Sequence, residues 1–441
     1  MKTQNQYVAN KIFHHSMELL SELKRYFDIS SFRSGQEEVV RTVLEGRDAL
    51  VVMPTGGGKS LCYQLPALIR EGTALVISPL IALMKDQVDV LQKRGIAASF
   101  INSTIPWTEQ RQVLKRLEAG DLKLLYVAPE RFRQKEFLQT LSRSMISFVA
   151  IDEAHCISQW GHDFRPDYMR LGSVLKRTGQ YQILGATATA TEFVISDIIS
   201  SLHLTNCRQF VTGFYRNNLQ LRVLHSASKK DKQDALMSVL TKEKLPAIVY
   251  CATRKSVDEV VILLKDQGLS ASGYHAGMDD ETRNLVQEQF MAGRSKIIVA
   301  TNAFGMGIDK LDIRQVIHYQ FPSSIESYYQ EIGRAGRDGK KSMCSLLFSM
   351  GDNYIQEFFI DMNYPSQEAV HDVFEFLKKD GRDYLTVGNN EISETIDSVQ
   401  SAGQAGIVIK MLERSGFLER LYSGRRLCFV AAGTEKPRGP V

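Results

Sequence analysis

One octapeptide constrains this chain more than any other stretch: Met53-Pro-Thr-Gly-Gly-Gly-Lys-Ser60. It follows Asp48-Ala-Leu-Val-Val52, a short apolar run ending in β-branched residues, which is the pattern of a buried parallel strand. It precedes Leu61-Cys-Tyr-Gln-Leu65, which reads as the start of a helix. Strand, glycine turn and helix in that order are the setting of a phosphate-binding loop. Gly56, Gly57 and Gly58, after Thr55, let the backbone fold tightly, so that successive N–H groups face one anion. The helix start adds its free N–H groups and its positive end. In such a loop Lys59 is expected to reach the β- and γ-phosphates of a nucleotide, and Ser60 to coordinate Mg²⁺. The general pattern opens on Gly, and Met53 stands there instead. The rival reading, a glycine-rich turn with no ligand, must take Gly-Lys-Ser at the head of a helix as coincidence.

Length and composition set the frame. With 441 residues, two or three domains are expected. No stretch reaches the roughly 18 apolar residues a membrane-spanning helix needs, and Met1 to Phe13 lack an apolar signal core. Cys62, Cys156, Cys207, Cys251, Cys344 and Cys428 are scattered without a Cys-x-x-Cys pair, so neither a zinc module nor a disulfide framework is expected. A reduced, intracellular protein of cytoplasm, nucleoid or nucleus fits best. The net charge of +4 permits a nucleic-acid partner without arguing for one.

Beyond the loop, apolar runs alternate with helical patterns. Strands are expected at Ala74–Ser78, Ala97–Ile101, Leu122–Val127, Ser147–Ile151 and Gln182–Leu184, with helices at Ile81–Arg94 and Thr108–Ala119 between them. Alternation of this kind predicts a parallel sheet covered by helices on both faces. After a polar hinge at Gly213–Asn218 the pattern starts again, without a second Gly-Lys-Ser. The expected fold is therefore α/β, two tandem lobes spanning 1–212 and 213–350, with one nucleotide held between them. A connector (351–364) leads to helices and a β-hairpin (365–432), the plan of a winged helix, for which a generic small α+β cap is the alternative. Residues 433–441 read as a tail, and the abrupt stop at Val441 raises the expectation of a truncated chain.

Three constellations carry chemistry. Asp152-Glu153 closes an apolar strand, where a phosphate-loop protein needs a carboxylate for Mg²⁺ (Asp152) and one to orient and deprotonate the attacking water (Glu153). Arg334 and Arg337 stand among Gly333, Gly336 and Gly339, whose small size lets a guanidinium approach a γ-phosphate from across a cleft. Trp160, Phe164 and Arg165 follow the acidic pair closely, in an aromatic, polar loop suited to stacking on single-stranded bases; local packing of aromatics is the plainer alternative.

Read together and in order, these segments resemble the motifs of superfamily 2 helicases, and among them the RecQ DNA helicases. The sharpest match is Asp152-Glu-Ala-His-Cys-Ile-Ser-Gln-Trp-Gly-His-Asp-Phe-Arg165. It is joined by Phe32-Arg-Ser-Gly-Gln36, Ser78-Pro-Leu-Ile-Ala-Leu-Met-Lys-Asp-Gln87, Ala128-Pro-Glu-Arg131, Thr187-Ala-Thr189, Tyr274-His-Ala-Gly277 and Ala303-Phe-Gly-Met-Gly-Ile308. The resemblance implies two RecA-like lobes, ATP and Mg²⁺, and 3′-to-5′ unwinding of DNA by a protein expected to be monomeric. It implies that Arg33 and Gln36 face the adenine, that Gly307 and Asp309 touch the nucleotide, and that Arg337 with Arg334 forms the arginine finger. Thr187 and Thr189 would link the ATP site to DNA. Strand contacts are implied at Lys85, Arg131, Trp160, Phe164, Arg165, His275, Phe304 and Met306. In the expected winged helix, Tyr422 and Arg425 flank the hairpin turn that would meet the duplex. Two departures stand out: Ile29 occupies the place of an adenine-stacking aromatic, and the cysteines of the family's zinc module are missing. Rival readings are an RNA helicase and a non-hydrolysing DNA-binding scaffold.

Overall fold

Runs such as Ala49–Val52 and Ala247–Tyr250 are apolar at every position, so their strands bury both faces. In the computed structural model, which describes residues 18–158, 165–213, 215–305, 310–378, 385–423 and 426–431, they sit within two parallel sheets. The chain divides into two compact units, Met1–Phe348 and Ser349–Val441. Both parallel sheets belong to the first.

The first sheet contains β1 (Ala49–Val52), β2 (Thr73–Ile77), β3 (Ala98–Ile101), β4 (Leu124–Val127), β5 (Ile146–Asp152), β6 (Ile183–Thr187) and β7 (Arg208–Val211). Their order across the sheet is β3-β4-β2-β5-β6-β1-β7. One face packs a core that includes Tyr63 and Phe148, the other a core that includes Phe137 and Tyr168. Register decides where the chemistry collects. Val52 pairs with Thr187, and Asp152 with Ala186, so three strands end along one edge. In open α/β sheets that carboxyl edge is where ligands bind.

The second sheet holds β8 (Leu219–His225), β9 (Ala247–Tyr250), β10 (Ala271–Tyr274), β11 (Ile297–Ala300), β12 (Gln315–His318) and β13 (Ser342–Phe348), in the order β10-β11-β9-β12-β13-β8. Tyr250 pairs with both Ala300 and His318, so here too the strands end together.

The expected two-sheet α/β architecture is what the first unit shows, with differences at its margins. Strands β7 and β8 were not expected. Both lie at sheet edges, where alternation with polar residues replaces an apolar run, and most of their side chains are at least partly exposed. Stretch 351–364, expected as a connector, is the helix Asp352–Asn363. It opens the second unit, and its Tyr354, Phe358 and Ile360 are exposed.

In the second unit, helices Gln367–Lys378, Asn389–Thr395 and Ala402–Arg414 enclose a core of Val373, Ile392 and Val408. Strands β14 (Leu385–Thr386), β15 (Leu418–Ser423) and β16 (Arg426–Ala431) form an antiparallel sheet in the order β14-β16-β15. Strand β14 was not expected; two residues are too short to leave a periodic signal. Among the described residues no helix is long and apolar enough to cross a membrane.

Candidate active site

The glycine loop leaves β1 and turns into helix Leu61–Ile69. Gly58 has φ of 83°, a left-handed conformation that strains any residue with a Cβ, and a Cβ there would press on the Gln36 amide. Gln36 is buried and ties the loop down: its amide donates to the Gly57 and Gly58 carbonyls, at 3.1 Å each, and accepts from Arg33 N–H at 2.8 Å. Arg33 donates to the Gly56 carbonyl. Both residues expected on the adenine side are therefore joined to the phosphate loop itself. The Lys59 ammonium donates to the Met53 carbonyl at 3.1 Å.

The acidic pair sits at the end of β5. Glu153 adopts φ 49°, ψ 47°, a left-handed conformation that costs a non-glycine residue about 1 kcal/mol or more and that gathers at functional sites. Its N–H donates to Asp152 Oδ1 at 3.1 Å, which fixes the turn. Burial, reinforced by the negative charge of Glu153 and opposed by Lys59, pushes the Asp152 carboxyl up to about 7. Glu153 Oε2 is buried without accepting a hydrogen bond among the described residues. Glu153 Oε2 lies 3.4 Å from His155 Nδ1. The buried Asp152 carboxyl and the Ser60 hydroxyl, both lining the cleft, are oxygen donors that fit Mg²⁺ beside phosphates.

A chain of contacts leads from this pair. The Thr187 hydroxyl donates to the Thr189 carbonyl at 3.0 Å, so it accepts from His155 Nδ1 at 2.8 Å, and that nitrogen carries the proton. In the sequence His155 is one position of the Asp152–Arg165 match, with no role assigned to it. Its role depends on β5 and β6 lying side by side, which spacing along the chain does not reveal.

The second sheet supplies the opposite wall. Helix Ile325–Ile332 is held by a buried pair, Glu331 Oε2 and His318 Nε2, 2.7 Å apart. Arg334, just beyond the helix, donates to the Gly305 carbonyl, while the Tyr250 hydroxyl holds the neighbouring Phe304 carbonyl at 2.9 Å. Arg337 reaches across, with Cγ 3.5 Å from where a Cβ on Gly56 would be. A Cβ on Gly333 would lie 3.0 Å from Thr55 Cβ, so the two halves meet backbone against side chain. The result is a cleft of about 320 Å³ walled by Lys59, Ser60, Asp152 and Glu153 on one side and Arg334 and Arg337 on the other. Arg216, which the sequence reading left inside a polar hinge, bonds to carbonyls of both halves.

The residues expected to touch a strand fare unevenly. Lys85 is exposed and His275 partly so, with His275 Nε2 3.4 Å from Asp258 Oδ1. Arg165 is half-buried and donates to the Pro79 carbonyl at 3.2 Å. Two of these positions are buried. Phe304 is a core side chain, 1% exposed, packed edge-on against Tyr274 and Phe290, and presents no face for stacking. Arg131 is buried, with Nη1 donating to Gln110 Oε1 at 2.9 Å. Trp160, Phe164, Met306, Gly307, Asp309 and Arg425 lie outside the described residues. Tyr422 falls on β15.

Comparison with known proteins gives concordant matches. The family models described as DEAD/DEAH box helicase and helicase conserved C-terminal domain match residues 33–197 and 214–339. The chain is 47% identical over 352 residues to an ATP-dependent DNA helicase RecQ of Haemophilus influenzae, covering 80% of this chain and 56% of that protein. It is 46% identical over 355 residues to the Bacillus subtilis RecQ, covering 80% and 60%. To a probable ATP-dependent DNA helicase RecS of Bacillus subtilis it is 42% identical over 363 residues, covering 82% and 73%. The chain thus spans little more than half the length of the two RecQ proteins. In fold it resembles S. cerevisiae Dbp5 bound to RNA and ADP BeF3, with TM-score 0.60 and 20% identity over 78% of this chain and 90% of that one. It also resembles the helicase MrfA bound to DNA and AMPPNP, with TM-score 0.62 and 19% identity over 96% and 62%.

Proposed function

The chain belongs to the RecQ family of DNA helicases, and on that premise we propose that it hydrolyses ATP in the cleft between its two sheets and uses the cycle to unwind duplex DNA, moving 3′ to 5′ on a single strand. The observation that carries this reading is the shared cleft, with Lys59 on one wall and Arg334 and Arg337 on the other. We read residues 1–212 and 213–350 as the two RecA-like lobes.

In this mechanism the glycine loop binds the phosphates through its N–H groups, and Lys59 exchanges the Met53 carbonyl for the γ-phosphate. Ser60 and Asp152 would hold Mg²⁺, which when bound neutralises charge between the β- and γ-phosphates. Glu153 orients a water and takes its proton as the water oxygen attacks the γ-phosphorus and the bond to ADP breaks. Arg337 and Arg334 stabilise the charge that develops on the phosphoryl oxygens. Closing of the halves on ATP and opening after hydrolysis would advance two grips along the strand. The path His155–Thr187–Thr189 is suited to pass the state of the acidic pair toward that strand. Lys85, Arg165 and His275, with Trp160, Phe164 and Met306, are the strand contacts we favour. Gripping phosphates and base faces requires no sequence code.

We further read the second unit from residue 365 to 432 as a winged helix, supported by its three helices followed by a hairpin, with Tyr422 and Arg425 at the duplex. A zinc-free variant of the family is inferred from the scattered cysteines. Residence in the cell interior is inferred from the proposed DNA substrate.

Strand displacement tests the main reading. With ATP and Mg²⁺, a 3′-tailed duplex should be unwound and a 5′-tailed one should not; unwinding of neither, or turnover stimulated by RNA and not by DNA, would favour the rival assignments. The Asp152 carboxyl adds a pH signature. Below about pH 7 it is protonated in the cation-free protein, so Mg²⁺ must displace a proton. Apparent Mg²⁺ affinity for the nucleotide-bound protein should therefore rise about fivefold between pH 6 and 7, about tenfold between pH 6 and 8, and level off above that. A flat profile in a magnesium titration of ATPase activity would contradict Asp152 as the ligand.

A further inference from the structure

Arg216 lies in the hinge just before β8 and uses all five of its N–H donors. Four bonds stay within the second half: Nη1 to the Gly333 carbonyl at 3.1 Å, Nη2 to the Ala335 and Gly336 carbonyls at 3.0 and 2.7 Å, and Nε to Asn218 Oδ1 at 3.3 Å. The fifth crosses to the first half, from Nη1 to the Thr55 carbonyl at 3.4 Å. The three carbonyls of the second half bracket Arg334 and end at the residue before Arg337. Asn218 completes the clamp by donating to the Gly336 and Lys340 carbonyls at 2.8 and 3.0 Å. The cation also lies at the C-terminal end of helix Ile325–Ile332, where the helix dipole favours positive charge.

We infer that Arg216 is a positioning residue for hydrolysis: it holds the backbone that carries Arg334 and Arg337 and registers that backbone on the phosphate loop, without itself touching ATP. This inference rests on the ATPase reading of the cleft. The asymmetry of the bonds gives it direction. Four bonds make Arg216 part of the second half, and the single long bond to Thr55 is the one that closure makes and opening breaks. A lysine keeps the charge but is a point donor with three N–H groups, and cannot span this fan of carbonyls.

The test separates ground-state binding from transition-state binding. In Arg216→Lys, DNA-stimulated kcat should fall about tenfold or more, ADP affinity should stay within about twofold, and affinity for ADP–aluminium fluoride should fall in step with kcat. Asn218→Ala, which keeps Arg216 but removes its Nε acceptor, should shift the same readings in the same direction by less, and carries the test should Arg216→Lys fail to melt cooperatively. Equal loss of ADP and analogue affinity, or unchanged kcat, overturns the inference. Wild-type protein without DNA-stimulated turnover overturns the ATPase reading and this inference with it. Wild-type turnover with unaltered Arg216→Lys and Asn218→Ala overturns this inference alone.

Discussion

Lys59→Ala should reduce DNA-stimulated ATP turnover by about 10³-fold or more and abolish unwinding, with little change in thermal stability. The size follows from electrostatics. Two unit charges about 4 Å apart at an effective dielectric near 20 interact by about 4 kcal/mol, and each 1.4 kcal/mol is about a factor of ten in rate. Stability should barely respond, because the bond of the Lys59 ammonium to the Met53 carbonyl is a single contact that water can replace. Phosphate release with and without single-stranded DNA, beside a melting curve, checks both halves. Hydrolysis within tenfold of wild type would remove Lys59 from the chemistry.

Arg337→Ala should have the next largest effect. The guanidinium belongs to the half of the cleft opposite the phosphate loop, so its contribution grows only as charge develops on the transferred phosphoryl group. Turnover should drop about 10³-fold while nucleotide affinity changes by less than about threefold. An affinity loss as large as the loss in kcat would make Arg337 a binding residue instead. Arg334→Ala differs in kind, since Arg334 also donates to the Gly305 carbonyl and its loss frees the loop after β11.

What could be read from the sequence follows the range of the interactions. The phosphate loop is local: strand, turn and helix adjoin in the chain, and Gly58 stands where the backbone needs a positive φ. The central strands were legible because burial on both faces writes a continuous apolar run. Edge strands β7 and β8 write no such run. Residues whose surroundings come from partners far along the chain are not legible in the sequence. Phe304 reads as a strand contact, and its burial shows only once β10 and the helix Asp280–Met291 close over it. Arg131 looks like a free cation until Gln110, 21 residues away, takes it up. Arg216 sits in a stretch that reads as a polar, aromatic-marked hinge, and its meaning comes from carbonyls more than a hundred residues later.

The contact between Gly333 and Thr55 has a mechanical meaning. Where the sheets' loops abut there is no slack, since one added methyl at 333 would stand 3.0 Å from a side-chain carbon opposite. The seam acts as a feeler gauge: a methyl at 333 would have to push Thr55 aside by a few tenths of an ångström, in the same cleft where the guanidinium groups face the phosphate loop.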